Sequence, residues 1–333
     1  MAHPRPARAR FRHWIAAALL VAALAVNACA PGPDPRPVLR VASQKGGTRS
    51  LMLAAHALDG APYRVEWSEF PSAQTLLEAL GAGAVDLGAV GDAPFLFAYA
   101  NDPRLRIVQV NQTGSDGASV AVVVPDASPL RRPRDLKGRR IATGRGSIGH
   151  YLALRLLARE GLQPTDATFV FLSPADAKAA LVRGSVDAWA TWGPYIGLER
   201  LHGRGRVLAD GRGLMSNYGF EASTVAAIAA RRPLIADFLA RLARAETWET
   251  DHPDVYARVL ARETGLPQDV ASDTVRQSRP IAVRMTDSVR VAEQATLKTF
   301  VQAGLITRSP DLGTAFDTGF SPSAAPSASL RPK

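Results

Sequence analysis

Three glycine-containing loops hold the residues of this chain that could bind a charged ligand. They span residues 43–47, 91–94 and 144–149, and each follows an apolar run typical of a strand and precedes a helical pattern. Helix N-termini present free backbone N–H groups and the positive end of the helix dipole, which favour anions. Gln44 and Ser147 add an amide and a hydroxyl donor. Together the three loops predict an anion-binding site.

Aromatic side chains are concentrated in residues 189–195, at the end of another apolar run. Side chains alternate along a strand, so Trp189 fits either the core or the cleft, while Trp192 comes near the carboxyl end of the strand. We expect Trp192 and Tyr195 to form a wall of the ligand cleft. An aromatic wall beside anion-binding loops suits a ligand with an anionic head and an apolar tail.

Other chemistries find less support in the residues. Residues 144–149 fit the G-x-G-x-x-G pattern of dinucleotide-binding folds, but the next strand, residues 169–172, ends without the acidic residue that this fingerprint needs. Ser147 and His150 lack an orienting acid and a G-x-S-x-G elbow. The histidines form no pair with metal-ligand spacing. The sequence therefore predicts a protein that is not an enzyme and that uses no metal and no cofactor.

The charge of the chain argues against a nucleic-acid partner. It has 40 basic and 30 acidic residues, and four of the basic ones precede Cys29, so six positive charges remain in excess after Cys29. These residues are spread along the chain without interleaved aromatics, unlike a nucleic-acid-binding surface. A modest positive field favours the approach of anions.

An eight-residue motif, Ala-Leu-x-x-Gly-x-Val-Asp, occurs twice, at residues 79–86 and 180–187. Each copy has the pattern of a helix that opens after a proline, ends at a glycine and leads into a strand. A unit used twice indicates two similar α/β lobes, and a cleft between lobes is a usual place for a ligand.

The alternation of strands and helices predicts a mostly parallel sheet in each lobe. We expect lobe one to comprise residues 38–125 and, after a return strand at residues 223–229, residues 226–320 with the C-terminal helices. Lobe two is expected at residues 126–225. The chain then crosses between the lobes twice, and two crossover segments are typical of a hinge.

The N-terminus, residues 1–28, is typical of a signal peptide, with a basic segment before an apolar run that is shorter than a membrane span. Residues 26–29 (Val-Asn-Ala-Cys) resemble a lipobox, and Cys29 is the only cysteine in the chain. We therefore expect Cys29 to be acylated and to hold the protein on a membrane. Cleavage by ordinary signal peptidase at residues 28–30 is the alternative.

Proline and small residues dominate both ends of the mature chain. Residues 29–37 predict a stiff linker after the lipid anchor, and the Ser/Ala/Pro-rich residues 321–333 predict a disordered tail.

Several short stretches, in order, resemble the periplasmic substrate-binding proteins of ABC importers. The similarity is to the aliphatic sulfonate-binding subgroup, related to taurine- and nitrate-binding proteins. The stretches are residues 66–71, 91–94, 145–147 with 150–151, 184–189 and 208–211. The resemblance implies the two-lobed type II fold, an extracytoplasmic monomer, capture of a small organic anion by lobe closure, and delivery to permease and ATPase subunits.

The resemblance also carries the ligand-binding positions of the family onto this chain. These are Gln44, Gly91, Asp92, Ser147, His150, Trp192 and Asn217. The chain departs from the family pattern at residues 148–149, Gly193 and Tyr218, so the ligand stays open among an aliphatic sulfonate, taurine, nitrate and a heterocyclic ligand resembling a thiamine precursor. An enzyme on the same scaffold and a sensory module are alternatives from other classes.

Overall fold

Two β-sheets covered by helices make up residues 34–320, the part of the chain that the computed structural model describes. The predicted signal peptide, the lipobox with Cys29 and the predicted tail lie outside these residues, as does most of the predicted linker. The strands are β1 (Val38–Gln44), β2 (Arg64–Phe70), β3 (Leu87–Gly91), β4 (Leu105–Gln112), β5 (Val120–Pro125), β6 (Arg140–Thr143), β7 (Thr168–Phe171), β8 (Ala188–Trp192), β9 (Gly205–Asp210), β10 (Tyr218–Thr224) and β11 (Ile281–Val283).

Helices connect these strands and follow them. The α-helices are α1 (Thr48–Ala54), α2 (Ala73–Gly81), α3 (Asp92–Tyr99), α4 (Ile148–Arg159), α5 (Pro174–Val182), α6 (Pro194–Gly197), α7 (Val225–Asp251), α8 (Pro253–Thr264), α9 (Gln268–Ser278) and α10 (Asp287–Gln302). Short 3₁₀ turns lie at Pro133–Leu136, Pro164–Asp166, Leu312–Thr314 and Thr318–Phe320, and a π-helical turn at Leu198–His202. Within residues 34–320, none of the helices has the length and apolar character needed to span a bilayer.

Read from β2 and from β7, the two sheets have the same strand order over five strands, and β11 adds a sixth strand to the first sheet. The first sheet runs β11-β4-β10-β3-β1-β2 and the second β7-β6-β8-β5-β9. In each sheet three consecutive neighbours are parallel, and the next strand, β10 or β5, is antiparallel to both of its neighbours. We call the first sheet with its helices lobe 1 and the second lobe 2. The predicted fold class, two α/β lobes with mostly parallel sheets, is confirmed.

The repeated motif has the same structural role in both lobes. The carboxylate of Asp86 accepts the backbone N–H of Arg40 at 2.9 Å, and that of Asp187 accepts the backbone N–H of Arg140 at 2.8 Å. The backbone N–H groups of the two aspartates donate back to the carbonyl oxygens of the same arginines, at 2.8 and 2.9 Å. Each aspartate therefore fixes the strand that follows the motif against a parallel neighbour, β3 against β1 in lobe 1 and β8 against β6 in lobe 2.

The chain crosses from lobe 1 to lobe 2, and back again, earlier than the sequence indicated. β5 pairs with β8 and β9, so the chain enters lobe 2 before Val120 and not after residue 125. The return strand is β10, and the predicted return strand at residues 223–229 is wrong because its apolar run is the first turn of α7. The Thr224 hydroxyl accepts the backbone N–H of Ala227 at 3.1 Å and begins this helix. The sequence pattern did not predict β10 as a strand, because Gly219 and Glu221 interrupt its apolar residues.

Four apolar clusters form the cores of the lobes, and the buried residues of one cluster come from both lobes. On one face of the lobe 1 sheet, α2, α3 and α10 pack together with Tyr151 and Leu154 of α4, a lobe 2 helix. On the other face pack α1, α7, α8 and α9. The hydroxyl of Thr296 in α10 donates to the Tyr151 hydroxyl at 3.4 Å. Helix α10 therefore joins the two lobes along one side of the cleft.

Candidate ligand-binding cleft

A cleft between the lobes collects the loops at the carboxyl ends of the parallel strands. It has two adjoining compartments, an inner one of about 270 Å³ that reaches into lobe 1 and an outer one of about 250 Å³ between the lobes. Both are lined by Gln44, Gly46, Gly47, Gly91, Thr113, Ser119, Val120, Ile148 and Ser278. The three glycine-containing loops of the sequence analysis therefore meet at one place.

Three helix N-termini face this cleft. Helices α1, α3 and α4 begin at Thr48, Asp92 and Ile148, and all three residues line the inner compartment. The first backbone N–H groups of a helix have no acceptor within the helix, and the dipole adds positive potential there. Of the described residues that line the two compartments, Lys45 alone has a cationic side chain. The arrangement can bind an anion mainly through neutral donors.

Ser147 organises the α4 end of the site. Its hydroxyl accepts the backbone N–H of His150 at 3.1 Å and lies 3.1 Å from the Thr143 hydroxyl. The Thr143 hydroxyl donates in turn to the carbonyl oxygen of Ala190 at 3.0 Å. Ser147 caps α4 and lines the outer compartment, and its one hydroxyl hydrogen, which the contact with Thr143 uses in this structure, can reach a ligand by rotation about the Cβ–Oγ bond.

The His150 ring lies behind this loop and lines neither compartment. Its Nδ1 accepts the backbone N–H of Gly146 at 3.2 Å, and the ring packs edge-on against Phe169 and Phe171. Burial, helped by the charge of Arg145, lowers the pKa of His150 to about 4. A neutral imidazole in this place supports the loop, and direct contact with a ligand, which the resemblance implied, has no support in this geometry.

Asp92 is buried at the start of α3, although it lines the inner compartment. Its carboxylate accepts the backbone N–H of Ala93 at 2.6 Å and the hydroxyl of Ser216. Burial raises the pKa of Asp92 to about 6, against the opposing effect of these hydrogen bonds. Its oxygens are engaged with the protein, so Asp92 holds the segment before Asn217 in place.

The two crossover segments are bonded to each other beside the cleft. The carbonyl oxygen of Asn217, which has a left-handed backbone with φ of 63°, accepts the backbone N–H of Thr113 at 2.9 Å. A Cβ on Gly117 would lie 2.3 Å from the carbonyl oxygen of Gly211, so this approach requires glycine. Asn217 lines the inner compartment between the crossovers.

Gln44 and Trp192 occupy the ends of strands on opposite lobes. The Gln44 side-chain amide donates to the carbonyl oxygen of Ala89 at 3.0 Å, so it is engaged within lobe 1. Trp192 and Tyr195 line the outer compartment with their rings edge to face, 6.1 Å apart between centroids. Trp189 is buried in the core. The aromatic wall lies where the sequence predicted it, and Gly193 leaves it without a charge.

Sequence reasoning missed three further groups that line the cleft. Thr113 and Ser119 belong to the first crossover segment, and Ser278 ends α9. The polar run between the apolar strands β4 and β5 was the one local signal for the first two. Three buried glutamates of the inner compartment, one on β10 and two on α7, were also missed, because acidic residues are usually solvent-exposed.

The lobes touch on the other side of the cleft as well. His202 and Arg200 of lobe 2 pair with Asp269 and Asp273 of α9 at 2.8 and 2.7 Å. At the mouth, the Gln74 amide donates to the carbonyl oxygen of Arg145 at 3.3 Å. Within residues 34–320, no group of three or more His, Cys, Asp or Glu side chains is arranged to hold a metal ion.

Two lobes of equal strand order, two crossovers and a cleft at the strand ends define a two-lobed binding protein of the periplasmic type. Comparison with known proteins agrees. A family profile described as ABC transporter, phosphonate, periplasmic substrate-binding protein matches residues 55–217. A protein of Escherichia coli (strain K12) named "Putative aliphatic sulfonates-binding protein" is 33% identical over 298 residues, 88% of this chain and 93% of that protein.

Solved structures show the same relationship. The alkanesulfonate-binding protein SsuA from Xanthomonas axonopodis pv. citri, bound to MOPS, is 34% identical with a TM-score of 0.78, covering 85% of this chain and 99% of that one. The desulfurization enzyme DSZB, at 18% identity and a TM-score of 0.63 over 86% of this chain and 97% of that one, shares the fold alone. The chain belongs to the aliphatic sulfonates-binding family of periplasmic substrate-binding proteins. It is an extracytoplasmic binding component of an ABC importer and not an enzyme.

Proposed function

We propose that this protein captures an aliphatic sulfonate in the cleft between its lobes and delivers it to the permease and ATPase of an importer. The convergence of three helix N-termini on one cleft, with Lys45 as the one lining cation among the described residues, carries this proposal. A sulfonate is ionised throughout the physiological pH range and accepts hydrogen bonds without donating any. It therefore suits a site made of N–H and O–H donors.

The aromatic wall supports an organic ligand over an inorganic anion. Trp192 and Tyr195 offer an apolar surface in the same outer compartment as Ser147. An alkyl chain buried against this wall gains about 25 cal/mol per Å² of apolar surface. The relatives named as sulfonate-binding proteins, one of them bound to MOPS, favour the same ligand class. Taurine, nitrate and heterocyclic ligands remain alternatives for the binding test.

Hydrogen bonds from the cleft can supply much of the free energy of ligand binding. Hydrogen bonds to a charged group contribute roughly 1.5–3 kcal/mol each, so three or four of them supply a large part of the favourable free energy that ligand binding requires. We further propose that the protein acts as a monomer held on the outer face of the membrane by acylation at Cys29. The lipobox resemblance of residues 26–29 and the lone cysteine support this anchor.

Calorimetric titration of the purified protein tests the ligand. We expect alkanesulfonates to bind, with nitrate, sulfate, alkyl phosphonates and alkyl carboxylates much weaker. Ser147→Ala should lower sulfonate affinity about tenfold or more, since it removes a donor to a charged group. Tighter binding of another class would keep the transport role and discard the sulfonate.

Ser173→Ala is the matched control for Ser147→Ala. The Ser173 hydroxyl accepts the backbone N–H of Asp176 at 3.3 Å and caps α5, also in lobe 2, but Ser173 lines neither compartment. Each variant loses a helix cap worth about 1 kcal/mol of stability. The two should therefore lose similar stability, whereas sulfonate affinity should fall in Ser147→Ala alone. A similar loss of affinity in both would remove Ser147 from the site.

A further inference from the structure

The inner compartment contains an acidic wall that an anion-binding site does not call for. The wall consists of Glu221 on β10 and Glu246 and Glu249 on α7, all of which line the compartment. Each of the three residues is at most 2% exposed. One carboxyl oxygen of each has no hydrogen-bond partner among the described residues. Buried polar groups are almost always paired, so three carboxyls with an unpaired oxygen around one cavity point to a donor outside the protein.

Burial keeps the acidic wall neutral. Burial raises the pKa of Glu221 and Glu249 to about 8. Burial, reinforced by the two neighbouring glutamates, raises the pKa of Glu246 well above its usual range. The backbone N–H and charge of Arg279 lower the pKa of Glu249 in part, and Tyr256 faces the same carboxyl with its own pKa raised by burial. Near pH 7 the wall therefore carries protons rather than three negative charges.

We propose that the acidic wall is a subsite for a positively charged nitrogen of the ligand, so that the preferred ligand class is an aminoalkanesulfonate. This proposal rests on the proposed function, which places the sulfonate group at the three loops. The loops and the wall line one continuous compartment of about 270 Å³, which lets one small molecule reach both. An ammonium group has N–H donors and no acceptor, which matches a wall of unpaired carboxyl oxygens. A metal ion fits less well, because these glutamates are not arranged as metal ligands.

Binding of an aminoalkanesulfonate should remove a proton from the acidic wall, whereas binding of a plain alkanesulfonate should not. A cation placed beside a buried carboxyl favours the ionised form and lowers the pKa of that carboxyl. With the pKa of Glu221 and Glu249 near 8 before binding, a proton leaves as the ammonium group arrives. The affinity for an aminoalkanesulfonate should therefore rise as pH increases from 6 to about 8, as long as the amine stays protonated.

Calorimetry with ligands of equal length tests the subsite. Homotaurine and propanesulfonate, and taurine and ethanesulfonate, are titrated at pH 7 in phosphate and in Tris, whose ionisation enthalpies differ. We expect at least one aminosulfonate to bind about tenfold more tightly than its partner, a gain of about 1.4 kcal/mol. We also expect release of about one proton with the aminosulfonate and none with the plain sulfonate.

Several outcomes separate this proposal from the proposed function. Equal affinities without proton release overturn the subsite and keep the sulfonate function. Proton uptake also overturns it, since a carboxylic acid would then be donating to the anionic group. Failure of all four compounds to bind overturns both.

Substitution of one wall residue gives a second test on the same readout. Glu246→Gln should weaken the preference for the amine and reduce the proton release, because it removes one of the three carboxyls of the wall, and leave propanesulfonate affinity within about twofold. The fold should tolerate the change, because a neutral amide replaces a carboxyl that is protonated near pH 7. Glu293→Gln is the matched control, since Glu293 is equally buried in lobe 1 with both oxygens unpaired, but lines neither compartment. A preference that Glu246→Gln leaves unchanged, or that Glu293→Gln weakens equally, contradicts the subsite.

Discussion

The repeated aspartates allow a comparison within one molecule. Asp86 and Asp187 end the two copies of the motif and accept equivalent backbone N–H groups, yet their surroundings differ. The side chain of Asp86 is 2% exposed and pairs with Arg40 at 2.6 Å and Arg231 at 3.2 Å. The side chain of Asp187 is 38% exposed and reaches Arg139 at 3.8 Å. We predict that Asp86→Ala costs more stability than Asp187→Ala.

The magnitudes follow from these contacts. Removing Asp86 takes a buried carboxylate from the backbone N–H of Arg40 and from two guanidinium groups that are each about one-third exposed and keep a carbonyl partner, so we expect a cost of about 3 kcal/mol, the low end for a broken buried pair. Removing Asp187 loses one hydrogen bond to a partly exposed carboxylate, about 1 kcal/mol, and a surface ion pair worth about 0–1 kcal/mol. We therefore expect a difference of roughly 1–2 kcal/mol between the two variants, even though the motif is the same.

The pH dependence gives this prediction a second readout. Burial opposes ionisation of Asp86, but hydrogen bonds from Arg40 and the charges of Arg231 and Arg40 leave its pKa below the ordinary value. A carboxyl with a lowered pKa stabilises the fold above its unfolded pKa, near 4, and this contribution is lost as pH falls through the folded pKa. The gap in stability between the wild type and Asp86→Ala should accordingly shrink in acid.

Urea unfolding followed by tryptophan fluorescence and by far-UV circular dichroism measures these differences. Both signals must change together for a free energy of unfolding to be assigned, because a two-lobed chain can unfold in steps. Equal costs for Asp86→Ala and Asp187→Ala at neutral pH would refute the reasoning from burial. So would a gap that stays constant from pH 7 to pH 3.

Three further predictions concern packing, the ligand and pH. Gly149→Ala places a Cβ 2.4 Å from the carbonyl oxygen of Ala190, so it should destabilise lobe 2 by about 1–3 kcal/mol or more and weaken sulfonate binding. Urea unfolding measures the first effect and calorimetry the second. Unchanged stability would contradict this prediction. Trp192→Ala should remove the gain in affinity with alkyl chain length, measured across a series of alkanesulfonates; a slope equal to wild type would take Trp192 out of the cleft wall. The pKa of Glu249, raised to about 8, means that its stabilising effect is complete below its unfolded pKa, near 4.5, and is lost as pH rises through 8. Glu249→Gln should therefore gain stability relative to wild type between pH 5 and pH 9 in thermal melts, and a constant difference would argue against burial as the cause.

Local patterns predicted the scaffold because they depend on neighbouring residues. The strand, turn and helix at each glycine-containing loop depend on apolar runs, positive-φ glycines and caps such as Ser147. The motif copies indicated two lobes for the same reason. Which lobe β5 and β10 join depends on tertiary pairing instead. Residues 120–125 are apolar enough for either sheet, and β10 contains Glu221, so the sequence placed both crossovers a few residues too late.

The candidate site was predictable in position but not in detail. Loops after strands had to gather at the carboxyl edges of the sheets, which located Gly91, Ser147 and Trp192 correctly at the cleft. Which way a side chain faces depends on the packing of distant elements. His150 turns behind its loop because Phe169 and Phe171 of β7 pack on its ring, a contact that no local spacing reveals.

The ligand cleft uses equivalent loops of the two lobes but gives them different chemistry. Gln44 ends β1 and Ser147 follows β6, while Gly91 and Trp192 end β3 and β8, the strands that follow the two copies of the motif. All four line the outer compartment, so closure brings corresponding loops together across the cleft. Lobe 1 contributes two helix N-termini and the deep polar compartment, whereas lobe 2 contributes a capped helix and the aromatic wall. A symmetrical anion such as sulfate or nitrate would leave that wall unused, whereas an organic anion with two unlike ends can engage both lobes and so stabilise the closed state.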